Sequence, residues 1–238
     1  MKKAIVIGAT SGIGRGIAKI LADNGYIVGI TGRRTGLLEE LKNEKPDSFI
    51  VKSFDITDLK ETEARLQELV KELGEVDLLF LSSGTGEING RLIFEIEKMT
   101  IDTNVTGFTF IADWIFRFFE KQGFGHFAAV TSVAGIRGSY ICPSYNATKA
   151  YQINYMESLR QKAFRSKKPI TITDIRPGFV DTAMAKGEGL FWVAPIDKAV
   201  KQIYKALLSK KQVAYITKRW FLMGILLKIM PEFIYNKI

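Results

Sequence analysis

The 238-residue sequence holds one cysteine, one histidine and six prolines. A lone Cys142 can build neither a disulfide framework nor a cysteine-based zinc site, and it fits a reducing, intracellular compartment. A lone His126 excludes a histidine-cluster centre and argues against a Ser-His-Asp hydrolase, so no metal is expected. Long apolar runs are missing too. The longest, Trp220 to Leu227, stops at Lys228, well short of the ~18–20 residues that span a bilayer. The basic start, Met1-Lys2-Lys3, leads into Ala4-Ile5-Val6-Ile7 but is cut by Gly8 and Arg15, too soon for a signal-peptide core. A location that is cytoplasmic in bulk is expected.

Excess charge is scarce over most of the chain. The formal net charge is +9, yet residues 1–200 carry 26 Lys/Arg against 24 Asp/Glu. The last 38 residues carry 8 against 1. A nucleic-acid partner needs basic residues spread over a face of the main domain, so none is expected. In the tail the basic residues mix with Trp220, Phe221, Leu222, Met223, Ile225, Leu226, Leu227, Ile229 and Met230. Aromatic, aliphatic and basic residues together suit a peripheral contact with the inner face of a membrane. The apolar residues run nearly all round a helix, which equally suits a subunit interface or a cover over a site.

What the chain has in quantity is apolar mass, 47% of residues, ordered as an alternation. Short apolar runs at Ala4–Ile7, Tyr26–Ile30, Phe49–Phe54, Val76–Leu81, Phe127–Thr131, Ile170–Ile175 and Val213–Thr217 read as buried strands. Between them lie segments of helical period: Ile13, Ile17, Ile20 and Leu21 closed by Asn24-Gly25; Leu37–Lys45 stopped by Pro46; and Leu66, Leu69, Val70 and Leu73 with Thr57 as candidate cap and Gly74 as stop. Further on come a stripe from Ile101 through Val105, Phe108, Ala112, Ile115 and Phe116 to Phe119, a helix from Pro143 to Phe164, and another from Pro195 to Leu208. This rhythm predicts right-handed βαβ units in one doubly wound α/β domain. The expected sheet is seven-stranded and mostly parallel, with helices on both faces. Residues 1–217 form the domain and 218–238 a basic-apolar helical extension.

Gly8-Ala9-Thr10-Ser11-Gly12-Ile13-Gly14 lies between the first strand and the first helix. Glycines there let the backbone turn tightly and approach a phosphate, and a helix N-terminus offers unpaired N–H groups. The second strand ends Ile30-Thr31-Gly32-Arg33-Arg34. It lacks the acidic residue that accepts hydrogen bonds from an adenosine ribose, and has instead two guanidiniums suited to a 2′-phosphate. NADPH/NADP+ is the expected cofactor, ahead of NADH.

Tyr145 and Lys149, four apart on a predicted helix, share a face. A free phenol with a pKa near ~10 holds its proton too tightly to exchange at neutral pH. An ammonium about 4 Å away contributes roughly 4 kcal/mol at an effective dielectric near 20, lowering that pKa, while desolvation works against it. Such a tyrosine can protonate a carbonyl oxygen as hydride reaches its carbon.

The glycine spacing, with Asp55-Ile56, Gly84, Asn104-Val105-Thr106-Gly107, Ser132, Tyr145-Asn146-Ala147-Thr148-Lys149 and Pro177-Gly178 in order, resembles the short-chain dehydrogenase/reductase family over about residues 3–200. The resemblance implies that Ser132 binds the substrate oxygen, that Lys149 also holds the nicotinamide ribose, and that Asn104 holds a water linking the lysine to solvent. It implies cofactor contacts from Thr10, Ser11, Ile13, Val180 and Thr182, and a mobile substrate lid over Ala183 to Pro195, carrying Met184, Phe191 and Trp192. It also implies a homodimer or homotetramer. Leu81-Ser82-Ser83-Gly84 departs from the family's Asn-Asn-Ala-Gly. The expected activity is NADPH-dependent reduction of a ketone or aldehyde, with a lipophilic substrate such as a 3-oxoacyl compound. The alternatives are a soluble 3-oxoacyl-carrier-protein reductase or alcohol dehydrogenase, and a non-catalytic dinucleotide-binding regulator.

Overall fold

The computed structural model describes residues 1–185 and 190–237. Seven strands, β1 (Lys3–Ile7), β2 (Ile27–Gly32), β3 (Phe49–Ser53), β4 (Leu78–Leu81), β5 (Gly125–Val130), β6 (Ile170–Pro177) and β7 (Val213–Ile216), form one sheet in the order β3-β2-β1-β4-β5-β6-β7. Every pairing is parallel. The seven apolar runs become these strands because helices cover both faces, so a strand such as Leu78–Leu81 is buried at every position.

The two faces pack separate layers. Side chains alternate across a strand: Ala4 and Val6 join the layer under α1 (Gly12–Asp23), α2 (Thr35–Glu44) and α7 (Ile196–Leu208), while Ile5 and Ile7 join the other. That second layer takes α3 (Leu59–Leu73), α5 (Phe108–Gln122) and α6 (Pro143–Ser166). Phe80, Phe108, Phe116, Phe119 and Phe127 are fully buried, each worth about 1.5–3 kcal/mol of apolar transfer. Strand order reverses between β1 and β4, and crevices for ligands open at the carboxyl ends of strands at such a switch.

Two local expectations change. Asp58, not Thr57, caps α3, its carboxylate accepting from the Glu61 N–H at 2.9 Å. Thr57 donates instead to Asp55, through both its N–H and its hydroxyl. The long apolar stripe does not run on one helix: α4 (Phe94–Ile101) reaches α5 through a π-helical turn at Asp102–Gly107. Each π turn carries an extra residue and shifts the phase of the stripe. Phe108 to Phe119 therefore face the core, while Ile101 is 41% exposed and Val105 half-buried. His126, the second residue of β5, is 8% exposed and bonds Thr173 Oγ1 through Nε2 at 2.8 Å.

The tail forms α8 (Lys218–Ile229) and α9 (Glu232–Tyr235). Trp220 and Gly224 turn inward, and a Cβ on Gly224 would press on Ile136 and Tyr215. Arg137 Nη1 donates to the Leu227 and Met230 carbonyls at 3.2 and 2.9 Å and lies 4.3 Å over the Tyr235 ring. Leu222, Ile225, Leu226 and Ile229 are exposed on the opposite side. Among the described residues no helix is long and apolar enough to cross a membrane.

Candidate active site

The glycine loop leaves β1 with Gly8 at φ +88° and enters α1 through Gly12 at φ +58°, both in the region that disfavours side chains. A Cβ on Gly14 would lie 2.1 Å from the Gly8 carbonyl oxygen, so loop and helix meet backbone to backbone. The N–H groups of Gly8 and Ala9 donate to Thr31 O, locking the loop onto β2. The absent Cβ of Gly12 faces Thr182 at 3.4 Å, setting the loop opposite the segment after β6. Ser11, the residue before α1, makes no side-chain cap bond, which leaves the first N–H groups of α1 available to an anion. This cradle fits a nucleotide's phosphates.

Arg34 arches over the same loop, its Nη2 donating to Thr10 Oγ1 at 2.6 Å and Ser11 Oγ at 2.8 Å. Arg33 turns the other way and pairs with Asp55 at 3.3 Å. Burial works against the Asp55 carboxylate, but the Thr57 bonds and the Arg33 charge hold its pKa below the ordinary value. Ile56 is buried, its carbonyl close against Gly107 of the π turn. Ser83, at the position of the family's alanine, lies where a Cβ on Gly8 would go, its N and Oγ both 2.8 Å from that point.

Two residues beyond β5 stands Ser132, whose Oγ accepts from Ala134 N–H at 3.0 Å and caps the short turn Val133–Ile136. α6 begins at Pro143, and its first two turns bring Tyr145 and Lys149 onto the face toward Ser132. Gly86 packs against the Tyr145 ring so closely that a Cβ would lie 2.3 Å from Cδ2. The Lys149 Nζ lies 5.8 Å from the ring centroid and 3.4 Å from the point where Gly84 would carry a Cβ.

The electrostatics differ from the sequence expectation. Burial raises the Tyr145 pKa above its ordinary value; a hydrogen bond with Ser132 counters this, and Cys142 adds to it. Burial also lowers Lys149 to about 8, with Asp174 in opposition. The ammonium lies 5.8 Å from the ring centroid, and desolvation is the dominant influence on both groups.

Asn104 rides on the π turn and is fully buried. Its side chain accepts from Thr85 N–H at 2.9 Å and donates to Thr85 O at 2.7 Å and Thr148 Oγ1 at 3.1 Å. Its backbone carbonyl accepts from Gln152 Nε2 at 2.8 Å, and Gln152 Oε1 accepts from Lys149 Nζ at 2.9 Å. The same ammonium donates to Val130 O at 3.0 Å. Sequence reasoning passed over Gln152. The available signal was a glutamine three residues after Lys149, on the same helical face.

After β6, Gly178 admits the Trp220 indole, which a Cβ would overlap at 1.9 Å. Val180 is buried and bridges to Ala194. Phe179, Phe191, Trp192 and Trp220 form a ring cluster with centroids 5.3–6.0 Å apart. Trp220 therefore does not anchor the tail to an outside surface; it is the inner wall of the segment expected to be the lid. Met184, Phe191 and Trp192 are each nearly half exposed. Residues 186–189 of that segment lie outside the described residues. Cys142 is half-buried, its thiol donating to Asn146 Oδ1 at 3.2 Å, with a pKa raised by burial and by Glu97. Among the described residues no cluster of His, Cys, Asp and Glu suits a metal.

The short chain dehydrogenase profile matches residues 2–190. The chain belongs to the short-chain dehydrogenase family. As a member it is an oxidoreductase, and its relatives agree: it is 34% identical over 188 residues to an uncharacterized oxidoreductase of Myxococcus xanthus, covering 77% of this chain and 74% of that one. A short-chain dehydrogenase/reductase from Burkholderia phymatum in complex with NAD superposes with a TM-score of 0.85 at 18% identity, over 94% of this chain and 92% of that one. The closed form of a serine dehydrogenase complexed with NADP+ gives 0.81 at 24%, over 90% and 94%. At these identities the neighbours establish the family fold, and between them they hold both nicotinamide nucleotides.

Proposed function

We propose that this short-chain dehydrogenase reduces a ketone or aldehyde with NADPH. The observation that carries the reading is the convergence of Ser132, Tyr145 and Lys149 at the ends of β5 and α6, beside a glycine loop overarched by Arg34. A bound nicotinamide nucleotide supplies hydride to the carbonyl carbon. Ser132 Oγ and the Tyr145 hydroxyl bind the carbonyl oxygen, and Tyr145 delivers its proton there, leaving alcohol and a phenolate that is reprotonated before the next turnover. Lys149, at the ring, would stabilise that phenolate and hold the ribose of a bound nucleotide. Gly8, Thr10, Ser11, Gly12, Ile13 and Gly14 hold the pyrophosphate, with Asp55, Ile56, Gly84, Pro177, Gly178, Val180 and Thr182 along the rest of the nucleotide. Arg34, already bonded to Thr10 and Ser11, supports preference for a 2′-phosphate; Arg33 neutralises Asp55 beside it.

The substrate is lipophilic on this reading, because Met184, Phe191 and Trp192 present exposed apolar surface on the segment that follows β6. A homodimer or homotetramer, and contact of the exposed α8 ridge with an anionic membrane, complete the proposal. The ridge is flanked by Lys218, Arg219 and Lys228. The test is NADPH consumption over ketones of increasing chain length, with Tyr145→Phe alongside. Rates that climb with chain length and fall by at least about a hundredfold in the variant, as general acid catalysis contributes, support the reading. Cofactor binding with no difference between the two proteins would leave a non-catalytic nucleotide binder instead.

A further inference from the structure

We propose that Gln152 is a positioning residue, an amide strut that fixes the Lys149 ammonium against the Asn104 carbonyl in the place where a water was expected. The inference deepens the reductase reading and rests on it for its catalytic meaning. Its geometric basis is closed at both ends: Nζ of Lys149 donates to Oε1 at 2.9 Å and Nε2 donates to Asn104 O at 2.8 Å. Gln152 is fully buried, Lys149 is 3% exposed and Asn104 is fully buried. The π turn, α6 and the end of β5 are thus joined at one cation.

An ammonium has three N–H donors and no acceptor. Val130 O and Gln152 Oε1 occupy two, and the third is left for the side facing Tyr145 and Gly84. The lysine is aimed because its other two bonds are satisfied by fixed protein atoms, one of them set by the amide. An amide differs from water in one respect that matters here. It accepts and donates hydrogen bonds but does not take up and release a proton near neutrality, so the link positions the lysine without conducting protons past Asn104. Reprotonation of Tyr145 and Lys149 then runs over the substrate side of the site.

The amide also favours the charged lysine in a buried place. A hydrogen bond from an ammonium to a neutral oxygen stabilises the ionised form. The other groups facing Lys149 are Tyr145 on its own helix and Asp174 on β6, the latter held by Arg176 and facing Arg160. Those partners are common to every variant below, so substitutions at Gln152 isolate the strut.

The measurement is the Lys149 titration in the full-length, cofactor-free protein, followed through the side-chain carbon shifts of labelled lysine and assigned by loss of the signal in Lys149→Met. Gln152→Met removes both bonds at nearly constant volume, and the expected result is a Lys149 pKa lower by about one unit, the size of one charge-assisted bond. Gln152→Glu keeps the acceptor and adds a charge, and the expected shift is about one unit upward. The alkaline limb of the ketone-reduction profile should move with each. Titrations unchanged in both variants, or moved in the same direction, overturn the strut; water filling the Met variant without a shift counts as the former. If Gln152→Met does not fold, the sign of the Gln152→Glu shift decides. The titration needs no turnover, so inactivity of the wild type toward every ketone would overturn the reductase reading and leave the strut standing.

Discussion

Burial acts on Tyr145 and Lys149 in opposite senses, raising the phenol and lowering the ammonium to about 8. Both shifts favour the neutral forms, so near neutrality the tyrosine holds a proton to give, which suits reduction more than oxidation. With a pKa of about 8 the lysine still carries its charge near neutrality. At the other end of the nucleotide, Arg34 makes the specificity claim testable. Replacing it by alanine removes a charge-assisted contact worth about 1.5–3 kcal/mol to a phosphate. The NADPH KM should rise about tenfold to a hundredfold while the NADH KM stays unchanged, as steady-state kinetics with both nucleotides would show. Equal effects on both would move Arg34 from recognition to loop support.

The elements carry a pH dependence of their own. On β5, His126 is bonded to Thr173 of β6 and buried, chiefly by desolvation, to a pKa of about 4, with Lys210 adding to the effect. The unfolded chain binds its proton near pH 6.5, so between about 6.5 and 4 the unfolded state holds more protons than the native one. Stability therefore falls as pH drops through that window, by about 3 kcal/mol from this group at its lower end. Denaturant unfolding at pH 7 and pH 4.5 should show the loss, and His126→Gln should shrink it. A loss of the same size in the variant would assign it to other groups.

The π turn between α4 and α5 is the other device at this scale. Six residues, Asp102–Gly107, break the helical register and set the Asn104 carbonyl against Gln152. The sequence showed an apolar stripe through this region, and the stripe was real from Phe108 onward. Its phase before that point depended on an extra residue per turn that periodicity alone does not reveal. The cap of α3 was misplaced by one residue for a similar reason: Thr57 and Asp58 are both good cap types, and Asp55 claims the threonine.

Over the whole molecule, the basic excess of the last 38 residues divides. Lys201, Lys205, Lys210 and Lys211 belong to α7 and the turn before β7, and only Lys218, Arg219, Lys228 and Lys237 accompany α8 and α9. The proposed membrane contact would thus depend chiefly on the ridge of Leu222, Ile225, Leu226 and Ile229, with modest electrostatic help. Sedimentation with phosphatidylglycerol vesicles but not with neutral ones, weakened by salt and lost in Ile229→Glu, is the expected outcome. A ridge that instead holds two copies together would show no vesicle binding and a lower oligomeric state in the same variant.

The sequence by itself determined the doubly wound sheet and the residues brought to its carboxyl edge. Strand-length apolar runs buried on both faces can only be satisfied between helix layers, and right-handed crossovers then place the glycine loop, Ser132, Tyr145 and Lys149 at one end. These are consequences of local period and chain connection. Tertiary structure decided what depends on neighbours distant in the chain. Gln152 gained its role because the π turn presents a carbonyl to it across 48 residues. Trp220 turned inward because Gly178 leaves room for an indole, and Arg34 joined the loop because β2 ends beside Thr10. Burial, a property of the assembled core, moved the Tyr145 pKa against the sign that its spacing from Lys149 alone suggested.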